Sequence, residues 1–162
     1  MNYLSTRDKS LKFSFKDVFL RGLAPDGGLF LPEKLKIYNS DELDKLSGMS
    51  YNSLATEIIY NFCSDHFKKD QLSELIKKSY KNFEVDDVVY LNKITKNNNN
   101  NVLELFHGPT LAFKDIAMQV IGNMYDELEV AKDNKVNVVV ATSGDTGSAA
   151  ISALNDRKNI NV

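Results

Sequence analysis

Two stretches hold the residue types that could do chemistry: Glu104-Leu-Phe-His-Gly-Pro-Thr-Leu-Ala-Phe-Lys-Asp115 and Ala141-Thr-Ser-Gly-Asp-Thr-Gly-Ser-Ala-Ala150. In the first, Lys114 stands where a turn gives way to an amphipathic helical pattern. Leu111, Ala112 and Phe113 precede it and Ile116 and Ala117 follow, an apolar setting that predicts partial desolvation. Desolvation disfavours the ammonium form and yields the neutral amine needed to attack a carbonyl. A cation in the first turn of a helix also opposes the helix dipole. The competing reading is a solvated lysine early in a helix, its stem lying along the surface. In the second stretch, Ser143-Gly-Asp-Thr-Gly147 follows a strand pattern and opens another helix. Backbone N–H groups at such a start point outward and can receive a carboxylate or phosphate. The competing reading is an ordinary helix cap made by Ser143 or Asp145. A primary amine facing an anion-cradling loop is the minimum for Schiff-base chemistry on an anionic substrate.

Other chemistries fit poorly. No Gly-Lys-Ser/Thr follows either loop, so neither is a P-loop, and Gly-x-Gly-x-x-Gly is absent. Asp145 would repel a bulky polyphosphate, whereas a small carboxylate on backbone amides fits, with Asp145 turned to a different partner. His107 could polarise a carbonyl or shuttle a proton; the alternative is a histidine hydrogen-bonded to its loop. His66 reads as a surface helix residue. Two histidines and one cysteine, far apart, make no recognisable metal site. No Ser-His-Asp constellation emerges.

The elements that must position these residues follow from patterning. Ser14 to Asp17 predicts a capping box, with the helix after it ending at Gly22. Pro25-Asp-Gly-Gly28 predicts a turn, and Leu29-Phe-Leu31 a short strand or apolar anchor closed by Pro32. Helices are predicted over 41–46, 51–62 and 71–80, the second burying Leu54, Ile58, Ile59 and Phe62, the third presenting Leu72, Leu75 and Ile76. The first 80 or so residues thus read as small helices and turns. Strands are predicted over 88–91 and 102–106, with Lys96 and Asn97 to Asn101 as a solvated hairpin tip. A helix over 113–129 would bury Ile116, Ala117, Val120, Ile121 and Met124. Val136 to Val140 is almost wholly apolar, as in a strand buried on both faces. A helix through Ala149, Ala150, Ile151 and Leu154 follows, and residues 159–162 begin another strand. That βαβ rhythm predicts an α/β fold with the start of a doubly wound sheet. The pattern is cut as it begins to repeat, so the chain reads as an incomplete piece of a longer protein.

Composition adds bounds. The 162 residues are 43% hydrophobic and 26% charged, with net charge −2, normal for a soluble globular protein. Interspersed lysines and carboxylates recommend neither a nucleic-acid partner nor an anionic membrane. The single Cys63 precludes an internal disulfide and fits a reducing compartment. No apolar run approaches a bilayer span, and Met-Asn-Tyr-Leu-Ser-Thr-Arg-Asp lacks a signal peptide's apolar stretch. The expectation is a cytoplasmic protein.

At Gly22-Leu-Ala-Pro-Asp-Gly-Gly-Leu-Phe-Leu-Pro32, at Leu103 to Asp115 and at Ala141 to Ala150, the chain resembles the threonine synthases, pyridoxal-phosphate enzymes of the tryptophan-synthase-β-like fold. The resemblance runs over essentially the whole chain. It implies a helical N-terminal domain over 1–82 and the first part of a fold-type II catalytic domain over 83–162. It implies that Lys114 forms the Schiff base with pyridoxal 5′-phosphate and, once freed, moves protons at the substrate's carbons. The amides of Ser143, Gly144, Asp145 and Thr146 would hold the substrate α-carboxylate, with Asp145 near the cofactor's 3′-oxygen. The family converts O-phosphohomoserine and water to threonine and phosphate. Its glycine-rich loop for the cofactor phosphate and its partner for the pyridine nitrogen come later in the sequence than this chain reaches. The expectation for the chain alone is therefore catalytic inertness and association through unpaired strand edges. Two alternatives stand beside this: a serine/threonine-dehydratase-like lyase of the same cofactor class, against which the Pro25-to-Gly28 leader speaks, and a non-catalytic remnant, against which intact Lys114 speaks.

Overall fold

A computed structural model describes residues 1–94, 100–128, 136–157 and 160–162. The chain divides into two compact units, Met1–Glu74 and Leu75–Val162. The first holds β1 (Tyr3–Ser5), β2 (Lys12–Phe13), α1 (Phe15–Arg21), β3 (Phe30–Pro32), α2 (Ser40–Ser47), α3 (Tyr51–Cys63) and the beginning of α4 (Lys69–Tyr80). The second holds the rest of α4, then β4 (Tyr90–Lys93), β5 (Asn101–Glu104), α5 (Lys114–Glu127), β6 (Val136–Asn137), α6 (Asp145–Leu154) and β7 (Ile160–Asn161).

In the first unit the capping box forms as expected: Asp17 N–H donates to Ser14 Oγ at 3.2 Å, and Ser14 N–H to the Asp17 carboxylate at 3.3 Å. These bonds satisfy two otherwise orphaned amides. The helix ends at Gly22. The turn after it is held by Asp26, whose carboxylate accepts from Ser5 Oγ at 2.7 and 2.8 Å and from Gly28 N–H at 2.9 Å. The Ser5 hydroxyl, then the Gly28 amide, keep the Asp26 carboxyl below the usual carboxylate range.

The short strand expected at Leu29 to Leu31 is present as β3, and the reading of the rest of the region as helices and turns is corrected by a three-stranded antiparallel sheet in the order β2-β1-β3, with Tyr3 opposite Phe13 and Pro32. Strands of two or three residues are too short to display a period-two alternation. The anchor in β3 is Phe30, edge-on to Phe13 at 4.9 Å, while Leu29 and Leu31 are exposed. In α3 the expected apolar face is only half-buried; the residues fully inside are Thr56 and Cys63. Each can go inside because it bonds back along its own helix, Thr56 Oγ1 to Asn52 O at 2.8 Å and Cys63 Sγ to Ile59 O at 3.3 Å. The predicted face of α4 holds, with Leu72, Leu75 and Ile76 buried.

In the second unit, β4 and β5 form an antiparallel hairpin pairing Leu91 with Leu103 and Lys93 with Asn101. The first strand begins two residues later than anticipated because Val88, 1% exposed, has φ 63° and interrupts the extended backbone. Of the predicted tip, Lys96 and Asn97 to Asn99 lie outside the described residues. Helix α5 buries Val120 and Met124 but turns Ala117 outward and buries Gly122 and Asn123 instead. Asn123 Nδ2 donates to Ser79 Oγ on α4 at 2.9 Å, which satisfies a buried amide.

Strands β6 and β7 pair in parallel with α6 between them, and Ala150, Ala153, Leu154 and Ile160 form the core beneath. Val136 to Val140 is not a strand buried on both faces. Pairing stops at Asn137, and Val139 is 95% exposed. A parallel strand is enclosed only by neighbours on both edges and layers on both faces, and among the described residues β6 pairs with β7 alone.

Candidate functional site

Lys114 is the first residue of α5. It is half-buried, and its Nζ lies 4.2 Å from the centroid of the Phe113 ring. The expected apolar wrapping is partial: Ala112 is buried, whereas Leu111, Phe113 and Ala117 are exposed. Leu111 has φ 58°, a left-handed backbone that an L side chain adopts at a cost and that directs this leucine away from the core.

The loop before Lys114 is pinned from two sides. Asp115 is fully buried, and its carboxylate accepts from Thr110 N–H at 2.7 Å and from Thr110 Oγ1 at 2.8 Å. Gly108 is obligatory at this closure, since a Cβ there would stand 2.5 Å from Asp115 Cβ and 2.6 Å from Asp115 Oδ2. Upstream, His107 Nε2 lies 2.9 Å from Glu104 Oε2 and its Nδ1 3.6 Å from Glu84 Oε2. Glu84 N–H also donates to His107 O at 2.9 Å. His107 is thus hydrogen-bonded through Nε2 to Glu104 alone, its buried Nδ1 makes no hydrogen bond among the described residues, and the residue ties β5 to the segment entering Gly108. Sequence reading singled out neither Asp115 nor Thr110. Their one signal is a threonine five residues ahead of an aspartate in the first turn of a helix, a spacing outside the usual capping patterns.

The second loop is a different kind of helix start. Gly144 stands at the cap position with φ 143°, a backbone open to glycine, and α6 begins at Asp145. Neither Ser143 nor Asp145 caps the helix: among the described residues no side-chain cap bond is made at its start. Thr142 Oγ1 instead accepts from Gly144 N–H at 3.2 Å. Ser143, Gly144 and Asp145 are exposed, Thr146 is half-buried and Gly147 is buried against Thr142. Uncapped amides at the positive end of a ten-residue helix are suited to an oxyanion.

Contacts between α5 and α6 fix how these two starts relate. Gln119 Nε2 donates to Ser152 Oγ at 3.3 Å, Gly122 sits against Ala153 O, and Arg157 reaches Asn123 Oδ1 at 3.4 Å and pairs with Asp126. The contacts advance along both chains in the same sense, so the helices run parallel and begin at the same end. At ~1.5 Å per residue, Lys114 lies about 7.5 Å before Gln119 and Asp145 about 10 Å before Ser152 along the helix axes. The amine and the open amides share that end of the unit.

A cavity of about 340 Å³ in the first unit is lined by Ser53, Thr56, Glu57, Lys69, Asp70 and Ser73, none of them a candidate residue. Among the described residues, no three His, Cys, Asp or Glu side chains are placed to hold a metal ion, and no helix is long and apolar enough to cross a membrane.

Parallel strands bridged by a helix, with a lysine and an anion-ready loop at the start of two parallel helices, are the α/β arrangement of the fold-type II class. Residues 2–80 match the family described as threonine synthase N terminus. Over its whole length the chain is 39% identical to threonine synthase of Pseudomonas aeruginosa, covering 34% of that protein, and 39% identical to threonine synthase-like 2 of Homo sapiens, covering 33% of it. The solved PLP-bound threonine synthase from Brucella melitensis superposes with a TM-score of 0.90 at 38% identity, and that of yeast with 0.90 at 37%; each comparison covers 99% of this chain and 34% of the other. The chain is thus similar to threonine synthases throughout its length, with the family match lying in residues 2–80, and it spans about a third of the length of the curated relatives it matches.

Proposed function

We propose that this chain is the part of a threonine synthase that supplies the Schiff-base lysine and the substrate carboxylate cradle. The reaction is the conversion of O-phosphohomoserine and water to L-threonine and phosphate, in the cytoplasm. Residues 1–82 are then the N-terminal helical domain and 83–162 the first part of the catalytic domain. The observation that supports this reading is that α5, which starts with Lys114, and α6, whose first-turn amides no described side chain caps, start at the same end of a parallel pair.

The residues fit pyridoxal phosphate in its reactive part. A primary amine is what its aldehyde requires, and when bound the cofactor supplies the electron sink for charge developed at the substrate's carbons. Lys114 anchors it and afterwards takes and returns protons at those carbons. The N–H groups of Ser143 to Thr146 bind and orient the substrate carboxylate, held by the partial positive charge of the α6 start. Asp145, exposed at the first position of α6, would be the residue nearest the cofactor's 3′-oxygen.

The test is to add limiting pyridoxal phosphate to the chain, reduce with borohydride and map the labelled peptides. Label concentrated on Lys114 supports the reading. Label spread over the other lysines, with Lys114 no more reactive than they are, refutes it.

A further inference from the structure

Asp115 is the one carboxylate among the largest fully buried side chains, and it sits next to Lys114 in the sequence with no cationic partner among the described residues. Its acceptor capacity goes to Thr110, whose N–H and hydroxyl both point at it, and Gly108 leaves the space it occupies. Between Thr110 and Asp115 the backbone passes through the left-handed Leu111, and then Asp115 N–H donates to Ala112 O at 3.0 Å and Ile116 N–H to Phe113 O at 3.2 Å. The Phe113 position that begins α5 contributes no side-chain cap. The first turn of α5 is therefore closed from within by a carboxylate reaching back five residues. A charged acceptor with two short donors is among the stronger neutral–ionic arrangements available to a loop.

We propose that Asp115 and Thr110 form a brace whose role is to position the Lys114 amine, and that Asp115 is thus a positioning residue for the lysine chemistry. This rests on the reading of Lys114 as the cofactor lysine. The carboxylate holds Thr110, Thr110 holds the strained turn at Leu111, and that turn delivers the first residue of α5 at a set height and rotation. Without the brace the first turn frays, and Lys114 behaves as an ordinary solvated lysine.

The experiment compares wild type, Thr110→Ser, Thr110→Val and Asp115→Ala. The readout is the ratio of reductively trapped pyridoxal phosphate on Lys114 to that on exposed Lys16 in the same digest. In trapping, Nζ attacks the aldehyde carbon, water leaves, and hydride from borohydride gives a secondary amine. A second readout needs no cofactor: competitive acetylation of Lys114 against Lys16 across pH. Melting curves accompany each variant. Thr110→Ser keeps the hydroxyl and should hold the wild-type ratio within about twofold, whereas Thr110→Val and Asp115→Ala should lower it about tenfold, the scale of losing a hydrogen bond to a charged group. If both folded variants keep the wild-type ratio and acetylation profile, the brace is overturned. If wild type itself shows no preference for Lys114, the proposed function fails. The brace is then judged by acetylation alone, standing if Thr110→Val shifts the Lys114 profile and Thr110→Ser does not, and falling otherwise. Should Asp115→Ala not fold, the Thr110 pair decides.

Discussion

Substituting Gly122 with alanine tests whether the two parallel helices are held at the separation that aligns their starts. An alanine Cβ at this position would stand 2.6 Å from Ala153 O and 2.9 Å from Arg157 Nη2, where ordinary contact begins at 3.4 Å. The nearer atom is helix backbone, so relief requires α6 to move. Overpacking of this kind costs about 1–3 kcal/mol. Against it stands the helix preference of alanine over glycine, about 1 kcal/mol in a helix interior. The net expectation for Gly122→Ala is a loss of about 0–2 kcal/mol, centred on about 1, which for a chain of this size lowers Tm by roughly 2–4 °C at the centre of that range. Ala117→Gly calibrates the opposing term, because Ala117 is exposed in the same helix and its replacement changes propensity alone, at a cost of about 1 kcal/mol. Both variants are read by thermal melts followed by circular dichroism. If Gly122→Ala melts above wild type while Ala117→Gly melts below, propensity has won. The close approach of α5 and α6 would then place no constraint on their alignment.

Three further outcomes follow from local geometry. Burial, with Asp65 adding to it, pushes the Cys63 thiol up to about 12 from 9.0, so the fold binds a proton there that the unfolded chain releases. Stability from this group is complete below pH 9 and is lost as pH rises toward 12; Cys63→Val should flatten the fall of Tm with pH between 9 and 11. Asp26 has the opposite sign: its depressed carboxyl gives stability that is present above pH 3.8 and lost on acidification, so Asp26→Asn should shallow the acid limb of a urea-midpoint profile, and an unchanged limb would discount the Ser5–Asp26 bonds. Leu111 is 63% exposed at φ 58°, so Leu111→Asn, which tolerates that backbone better, should leave stability unchanged or raise it by about 0.5–1 kcal/mol in chemical denaturation; a clear loss would mean that its side chain contributes packing.

What could be read from the sequence was what local chemistry dictates. The box of Ser14 and Asp17, the stop at Gly22, the turn at Asp26 and the face of Leu72, Leu75 and Ile76 depend on neighbours within a few positions, and the structure has each of them. What escaped depends on partners distant in sequence. Strand β1 exists because Tyr3 to Ser5 pairs with Phe30 to Pro32, and three residues carry no periodicity that would announce it. Val88 reads as a strand residue by type, yet it is buried with a left-handed backbone, a case of tertiary packing overriding β-propensity. At the site, Lys114 and the loop from Ser143 to Thr146 stood out by residue type, whereas Asp115 and Gly108 did not. An aspartate after a lysine looks like a solvated neighbour until Thr110 is seen to turn both of its donors toward it.

Helix starts give a further argument about where this chain holds functional strain. Helices α1, α2 and α3 each begin with a side chain bonded to a first-turn amide, from Ser14, Asn39 and Ser50. Helices α5 and α6 have Phe113 and Gly144 at the cap position and no such bond. A cap is worth about 1 kcal/mol, and serine or threonine lies within a few residues of both bare starts. Leu111 and Gly144 also hold left-handed backbones immediately before these helices. The open α6 amides and the strained turns therefore lie at the same end of the parallel pair, the end at which α5 starts with Lys114. Local rules are most often broken where function requires it. An oxyanion bound there would satisfy the α6 amides as a cap does and offset the stability that the empty helix start forgoes. A carboxylate that raises Tm in wild type, and does so less when proline replaces Thr146 and removes one of those amides, would bear this out; equal shifts in both would place its binding elsewhere.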